Sequence, residues 1–336
     1  MKFNMNSSRE TPELRTILKT PVPAADGAIG WGLNIRFGVY LVGAPRCGTS
    51  AFSKVLKRNP QICFSDPKEN HYFLLAPPGI PVARFKRRYL RAFYPSLNGA
   101  HRVIIDGSVT YLYSPDSLRR ILEVDPAARF IVMIRNPVDL VYSYHARLLF
   151  TMDEDVEDFE RAWRLQEKRS LGTNIPRRCR DPHRLQYKSA VSLGAQLEKL
   201  FDIAGRERCQ VIVFDDFISD PVGVYRKLLE FIGVDDDGQT DFRRKNSNRM
   251  YKNRFLQRIV MSPPAFVFRI VVKRRLNGKS IFDFLRRYRK RLKARNLVIV
   301  ERPPMREELR RELREEFAPD VRRLSGLLGR TFENWV

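Results

Sequence analysis

The chain has 336 residues, 43% of them hydrophobic, and a net charge of +24. This length and hydrophobic content exclude a wholly disordered chain and predict one globular unit with a large core. The charge predicts a polyanionic partner, which leaves nucleic acid, an anionic membrane, an acidic glycan and a highly charged cofactor as candidates. The four cysteines lack C-x-x-C pairing and tight spacing, so neither a zinc ribbon nor a disulfide framework is indicated.

Residues 1–36 are polar and contain several prolines and glycines, which is typical of a loosely ordered lead-in. They lack an apolar stretch of signal-peptide length, and no segment reaches the ~18 apolar residues of a membrane span. We therefore expect a cytoplasmic protein. We expect an α/β domain over residues 37–250, and a helical, basic C-terminal part over residues 251–336 that packs on the same domain.

Four apolar runs predict buried strands, at residues 37–43, 102–107, 129–136 and 209–217. Helical patterns follow the first, third and fourth of these strands, and Asn136 is the expected cap of a helix that begins at Pro137. This alternation predicts the α/β class, with a P-loop-like parallel sheet between two layers of helices. Ligands are expected beyond the carboxyl ends of the strands.

The segment VGAPRCGTS, residues 42–50, joins the first strand to its helix. A G-x-x-x-x-G turn in this place aims backbone N–H groups at an anion, and Arg46 adds a fixed positive charge. Thr49 stands where a nucleotide triphosphatase carries lysine, which disfavours hydrolysis of ATP or GTP. Cys47 is interpreted as a small filler, because a phosphatase loop would require arginine at the position of Ser53. A simple tight turn is the alternative.

The same segment resembles the 5′-phosphosulfate loop of sulfotransferases that use 3′-phosphoadenosine 5′-phosphosulfate (PAPS). RFIVMIRNPVDLVYSYHARLL, residues 129–149, looks like the 3′-phosphate motif of that family, in which a strand-end arginine precedes a helix serine by eight residues. The resemblance covers residues 37–250 and implies PAPS as the cofactor, with no metal. The cofactor-binding residues that it implies are Arg46, Cys47, Gly48, Thr49, Ser50, Arg135 and Ser143.

A third segment, PKENHYFL at residues 67–74, is similar to the K-E-x-x-F-F stretch of carbohydrate sulfotransferases such as those acting on heparan sulfate. The similarity implies that Glu69 is the catalytic base and that Lys68 is a cation beside the transferred group. A solvated Lys-Glu pair in a turn is the alternative interpretation. His71 is an alternative base and a candidate for contact with the substrate.

A fourth segment, DGSVTYLY at residues 106–113, lines up with the K-[ST]-P-x-Y segment of the family near the substrate. Tyr111 falls on the tyrosine of that motif and is therefore a candidate for substrate binding. The segment departs from the family at Asp106 and Gly107. Further along, RRKNSNRMYKNRF at residues 243–255 is expected to approach the adenosine or its 3′-phosphate through Lys245, Asn246 or Arg249.

Residues 264–295 mix apolar and basic side chains, which predicts an amphipathic helix on an anionic membrane surface or on an acidic acceptor. A solvated basic helix is the alternative. The four histidines lack helical metal-site spacing, so no metal is expected. A nucleotide or small-molecule kinase and a basic membrane- or nucleic-acid-binding module are the competing functions.

For a sulfotransferase, the expected acceptor is a hydroxyl or amine on a glycan or glycolipid. A protein tyrosine, a lipid-linked acceptor or a small molecule comes next, and no nucleic acid is expected. The sequence identifies neither the acceptor nor the oligomeric state.

Overall fold

The structure is a computed structural model that describes residues 35, 37–75, 82–242, 249–261, 291–292, 294–300 and 302–335. The chain divides into two compact units. The larger unit holds the described residues up to 140, from 191 to 242 and from 312 to 335. The smaller unit holds residues 141–190, 249–261 and the described residues between 291 and 311.

A five-stranded sheet forms the centre of the larger unit. Its strands are β1 (Gly38–Gly43), β2 (Ile62–Phe64), β3 (Val103–Asp106), β4 (Arg129–Ile134) and β5 (Cys209–Val213). They pair in the order β2-β3-β1-β4-β5, and every pairing is parallel. Residues of β1, β3 and β4 are almost wholly buried, as expected for strands covered on both faces. The carboxyl ends of all five strands therefore meet at one edge.

Helices connect these strands, because parallel neighbours require crossover connections. In chain order they are α1 (Thr49–Leu56), α2 (Tyr72–Leu75), α3 (Val82–Phe93), α4 (Pro115–Val124) and α5 (Pro137–Thr151). The α5 helix begins as predicted, with the Asn136 side chain accepting from the N–H of Val138 at 2.9 Å. Residues 141–151 of α5 belong to the smaller unit.

The smaller unit continues with α6 (Phe159–Arg164), α7 (Gln166–Ser170) and α8 (Tyr187–Val191), of which only the last residue falls in the larger unit. The larger unit then adds α9 (Leu193–Ala204), α10 (Phe214–Ser219) and α11 (Pro221–Ile232). An antiparallel pair, β6 (Arg249–Tyr251) and β7 (Leu297–Ile299), and the helix α12 (Arg254–Met261) follow in the smaller unit. The last long helix is α13 (Glu307–Leu328).

The α/β class with a parallel sheet is confirmed, and Gly233 ends α11 in a left-handed conformation as predicted. The predicted strand over residues 209–217 is wrong in its second half, because β5 ends at Val213 and α10 begins at Phe214. Asp215 and Asp216 occupy the first turn of α10, where carboxylates favour a helix. The three-residue strand β2 was not predicted. Among the described residues, no helix combines the length and apolar character that crossing a membrane requires.

Candidate functional site

The loop between β1 and α1, residues 43–50, lies at the carboxyl edge of the sheet. Gly48 has a φ of 85°, and a Cβ atom there would lie 2.8 Å from the ring of Phe214. Only glycine fits this combination of left-handed backbone and close approach. The N–H groups of Ala51 and Phe52 donate to the Gly48 carbonyl at 2.9 and 3.0 Å. Those of Thr49 and Ser50, the first two residues of α1, have no acceptor within a helix and lie at the end where anions bind. The geometry of an anion-binding loop is therefore present.

Arg135 follows β4 directly and lies against this loop. Its Nη1 is 3.5 Å from the carbonyl oxygen of Arg46, and its guanidinium lies 4.9 Å from the ring centroid of Phe214. Phe214, the first residue of α10, therefore packs against Gly48 and also supports Arg135. The sequence analysis missed Phe214, since it read this residue as part of a strand. The acidic pair directly after Phe214, which interrupts the apolar run, was the available signal.

Lys68 and Glu69 reach the same loop from the segment after β2. The Nζ of Lys68 donates to the Thr49 hydroxyl at 3.3 Å and lies 3.7 Å from a carboxylate oxygen of Glu69. Burial lowers the pKa of Lys68, although Glu69 opposes this effect. The Glu69 side chain is 40% exposed, which leaves its carboxylate accessible to a ligand. The segment after β2 thus brings an ammonium group to Thr49 in the loop and a carboxylate beside that ammonium group.

His71 and Tyr111 differ in their access to solvent. The Nδ1 of His71 lies 2.8 Å from the Thr110 hydroxyl, and the residue is partly exposed. Tyr111 has no exposed surface, and its hydroxyl donates to Asp106 at 3.1 Å. A side chain with no exposed surface does not contact a substrate in this conformation. Tyr111 therefore acts here as support for the interior beneath the site.

Cys47 is completely buried inside the loop. Burial raises the pKa of its thiol to about 12, although the guanidiniums of Arg135 and Arg46 act in the opposite direction. A thiol in this state is a poor nucleophile, since the thiolate is the reactive form. The thiol therefore has the environment of a packing residue.

Ser143 and Lys245 complete the predicted set. Ser143 lies in the second turn of α5, in the part of that helix that belongs to the smaller unit. Lys245 and Asn246 lie outside the described residues, as does most of the basic segment 264–295. Arg249 is the first residue of β6. Among the described residues, no group of His, Cys, Asp and Glu could hold a metal ion.

Residues near the end of the chain contact Asn136, which follows Arg135, and Asp215, which follows Phe214. The Asn136 side chain donates to the carbonyl of Asn334 at 3.3 Å, and the indole N–H of Trp335 donates to Asp215 at 3.2 Å. Arg330 forms a two-bonded ion pair with Asp216. The sequence analysis did not connect this terminal segment to the site, because nearly 200 residues separate Asn136 from Asn334.

A cavity of about 180 Å³ lies within the smaller unit, beside α12. Arginines and carboxylates line it together, including Asp155, Glu157, Arg177, Arg178 and Arg254. None of the residues predicted for the site lines this cavity. The mixed charge gives it no preference for an anionic or a cationic ligand, so the loop at the sheet edge remains the candidate site.

Comparison with known proteins gives a match to a family model and a shared fold. The family model described as "Sulfotransferase family" matches residues 79–238, which include Arg135. No curated protein matches the chain. The crystal structure of a sulfotransferase from Alicyclobacillus acidocaldarius is 24% identical, covers 89% of this chain and 98% of its own, and superposes with a TM-score of 0.60. This likeness shows a common fold.

Two further solved structures are more distant. The sulfotransferase domain from the curacin biosynthetic pathway is 17% identical, covering 61% of this chain and 78% of its own, with a TM-score of 0.40. Mouse sulfotransferase SULT7A1 complexed with PAP is 14% identical, covering 69% of this chain and 66% of its own, with a TM-score of 0.36.

Proposed function

The chain carries the family match and the fold of a sulfotransferase, and from this premise we propose that it transfers a sulfuryl group from PAPS to an acceptor hydroxyl or amine. The observation that carries the proposal is that Lys68 contacts both Thr49 and Glu69. Lys68 Nζ is 3.3 Å from the Thr49 hydroxyl and 3.7 Å from the Glu69 carboxylate. A cation and a base therefore face one anion-binding loop, which is the set of groups that such a transfer needs.

The residues of the loop fit a 5′-phosphosulfate. Gly48 allows the left-handed turn against the ring of Phe214, and the N–H groups of Thr49 and Ser50 at the start of α1 would supply uncharged donors. Cys47 and Ser50 belong to the same turn, and Ser50 is exposed. Arg46 and Lys68 would hold the negative charge of the 5′-phosphate, and a dianion there would favour the charged form of Lys68. The donor supplies an activated sulfuryl group when it is bound.

Arg135 and Ser143 would bind the 3′-phosphate, and Lys245 would assist them. The planar fork of Arg135 can donate two charge-assisted hydrogen bonds to a phosphate, while Phe214 supports its guanidinium from one side. Glu69 would take the proton of the attacking hydroxyl or amine, with His71 as the alternative base. No residue in this scheme acts as a covalent nucleophile.

The acceptor is proposed to be a glycan or a glycolipid, on the basis of the K-E-x-x-Y-F pattern around Glu69. The basic residues 264–295 would hold an acidic acceptor or the inner face of an anionic membrane. Incubation with radiolabelled PAPS and fractionated glycans, lipids and small metabolites would identify the acceptor by the label it carries. Binding of liposomes with and without residues 273–295 tests the membrane contact.

The proposal is tested first by calorimetry with 3′-phosphoadenosine 5′-phosphate (PAP), the product left by PAPS. We expect binding by the unaltered protein and at least a tenfold loss of affinity in Arg135→Ala, since a hydrogen bond to a charged group contributes about 1.5–3 kcal/mol. Arg119→Ala is the matched control, because Arg119 is 60% exposed and pairs with the exposed Asp116 in the same helix. Absence of PAP binding by the unaltered protein would refute the proposed function.

The role of Glu69 is tested separately from binding. Glu69→Gln keeps the size of the side chain and removes the base, so we expect PAP affinity to stay within about twofold. Turnover should fall by about 100-fold to 10,000-fold, which is the usual contribution of a general base. A similar loss in His71→Asn with little loss in Glu69→Gln would assign the base to His71 instead.

A further inference from the structure

Asp106, the last residue of β3, is a buried carboxylate surrounded by four donors. The N–H and the hydroxyl of Ser108 donate to its Oδ1 at 2.9 and 2.6 Å. The hydroxyls of Tyr89 and Tyr111 donate to its Oδ2 at 2.7 and 3.1 Å. An ionised carboxylate only accepts hydrogen bonds and has about four sites for them, so these donors occupy its full capacity.

Ser108 transmits this arrangement to the segment that carries Glu69. Because its hydroxyl proton is donated to Asp106, its lone pairs are left to accept from other groups. They accept from the backbone N–H of Asn70 at 3.1 Å and of His71 at 3.0 Å. One buried hydroxyl therefore fixes the two peptide groups that directly follow Glu69.

The residue before Glu69 is held from the same side. The carbonyl of Lys68 accepts from the N–H of Gly107 at 3.2 Å and from the hydroxyl of Ser65 at 3.0 Å. The Lys68 side chain lies across Gly107, where an added Cβ would come within 2.7 Å of its Cγ. The backbone on both sides of Glu69 is thus fixed, while its carboxylate is partly exposed and lies 3.7 Å from the Nζ of Lys68.

This arrangement is costly for a residue with only a packing role. All four donors to Asp106 are neutral, and burial raises the pKa of its carboxyl in spite of them. Burial of a carboxylate without a cationic donor opposes folding, and such local costs are typical of functional sites. The charge of Asp106 also favours the charged form of Lys68.

We propose that Asp106 and Ser108 are positioning residues, which fix the backbone of the Lys68–His71 segment and so place Glu69 and Lys68 at the anion-binding loop. The inference rests on the proposed function. It assigns a role to the position at which this chain departs from the family's segment, where Asp106 and Gly107 replace glutamate and lysine. Neither positioning residue touches the donor or the acceptor.

The test uses Ser108→Ala in the full chain, because this change removes the acceptor for two N–H groups without leaving a bare charge. Tyr94→Phe is the matched control, since the Tyr94 hydroxyl is buried in the same cluster and contacts the Tyr89 hydroxyl at 2.9 Å. Hydrogen exchange of the amides of Asn70 and His71 should become at least tenfold faster in Ser108→Ala and stay unchanged in Tyr94→Phe.

Turnover gives the second measurement, as sulfate released from radiolabelled PAPS with water as the acceptor. We expect Ser108→Ala to lower kcat by about 10-fold to 100-fold, the effect of misplacing a reacting group by roughly 1 Å. PAP affinity should fall much less than turnover, because Lys68 is the one proposed phosphate contact in the Lys68–His71 segment, and general loss of structure would not produce this separation. Asp106→Asn should reproduce the loss, because its amide nitrogen cannot accept hydrogen bonds.

Unchanged amide exchange in Ser108→Ala would overturn the inference, and so would unchanged turnover. A fall in PAP affinity as large as the fall in turnover would also overturn it, since the effect would then not be confined to the Lys68–His71 segment. If the unaltered protein fails to bind PAP, the proposed function is refuted. The exchange measurement still shows in that case whether Ser108 orders Asn70 and His71.

Discussion

Each unit contains a buried carboxylate at its centre, and the two carboxylates are stabilised differently. Asp106 in the larger unit accepts from neutral donors, and burial raises its pKa. Glu154 in the smaller unit accepts from both terminal nitrogens of Arg169 at 2.7 and 2.9 Å, and from the hydroxyl of Tyr187. Burial opposes ionisation of Glu154 too, but these bonds outweigh it and lower its pKa.

The two carboxylates differ because the donor to Glu154 is a charged arginine, whereas the donors to Asp106 are neutral. An arginine on Glu154 stabilises the ionised form and joins α7 to the loop after α5, so the pair serves the fold of the smaller unit. The neutral donors around Asp106 leave its charge uncompensated. One of these donors, the Ser108 hydroxyl, also accepts from the two backbone N–H groups that follow Glu69. Glu154 therefore stabilises the fold of the smaller unit, whereas Asp106 is connected through Ser108 to the backbone of the candidate site.

The largest expected effect on stability comes from breaking the ion pair between Arg169 and Glu154. Arg169→Met would leave Glu154 buried and unpaired, because neither side chain has any exposed surface. Breaking a buried pair in this way costs about 3–5 kcal/mol of the free energy of unfolding, measured by urea titration. Arg119→Met, at an exposed pair with Asp116, is the control and should cost less than about 1 kcal/mol. Equal losses in the two variants would contradict the distinction between them.

A smaller effect is expected from removing one tyrosine hydroxyl at each centre. Tyr187→Phe removes a donor to Glu154, and Tyr89→Phe removes a donor to Asp106. A hydrogen bond to a charged group contributes about 1.5–3 kcal/mol. We expect Tyr187→Phe near the lower figure, because Arg169 still compensates the charge, and Tyr89→Phe near the upper one. The reverse order in urea titrations would break the comparison.

The loop between β1 and α1 could be predicted from the sequence, because the residues that define it are close together in the chain. Gly43, Gly48 and Thr49 lie within one turn between a strand and a helix, and Arg135 stands at the end of the next buried strand along the same edge. Hydrophobic runs predicted β1, β3 and β4 nearly to their ends. The sheet then brings the loop and Arg135 together without further information.

The support of the site could not be predicted in this way. In the sequence, Asp106 was only a departure from a family pattern. Its hydrogen bonds with Tyr89 and Ser108 form only when the chain folds, so no local pattern predicts them. The contact between Asn136 and Asn334 spans almost the whole chain. Phe214 was assigned to a strand, since an apolar run does not mark where a short strand gives way to a helix.

The smallest expected effect is on the dependence of stability on pH, and this dependence distinguishes Glu154 from Asp106 by its sign. Glu154 has a lowered pKa, so the stability it contributes is complete above the ordinary glutamate value of about 4.3 and is lost as the pH falls through its folded value. Asp106 has a raised pKa, so its contribution is present below the ordinary aspartate value of about 3.9 and is lost as the pH rises through its folded value.

The two neutral variants should therefore differ from the unaltered protein with opposite slopes. With rising pH, the stability of the unaltered protein relative to Glu154→Gln should increase, while its stability relative to Asp106→Asn should decrease. Each slope is at most about 1.4 kcal/mol per pH unit, because one proton is involved in each case. Urea titrations of the three proteins between about pH 3 and pH 7 measure both slopes. Stability relative to Asp106→Asn that increases with pH would contradict the raised pKa of Asp106, and stability relative to Glu154→Gln that decreases with pH would contradict the lowered pKa of Glu154.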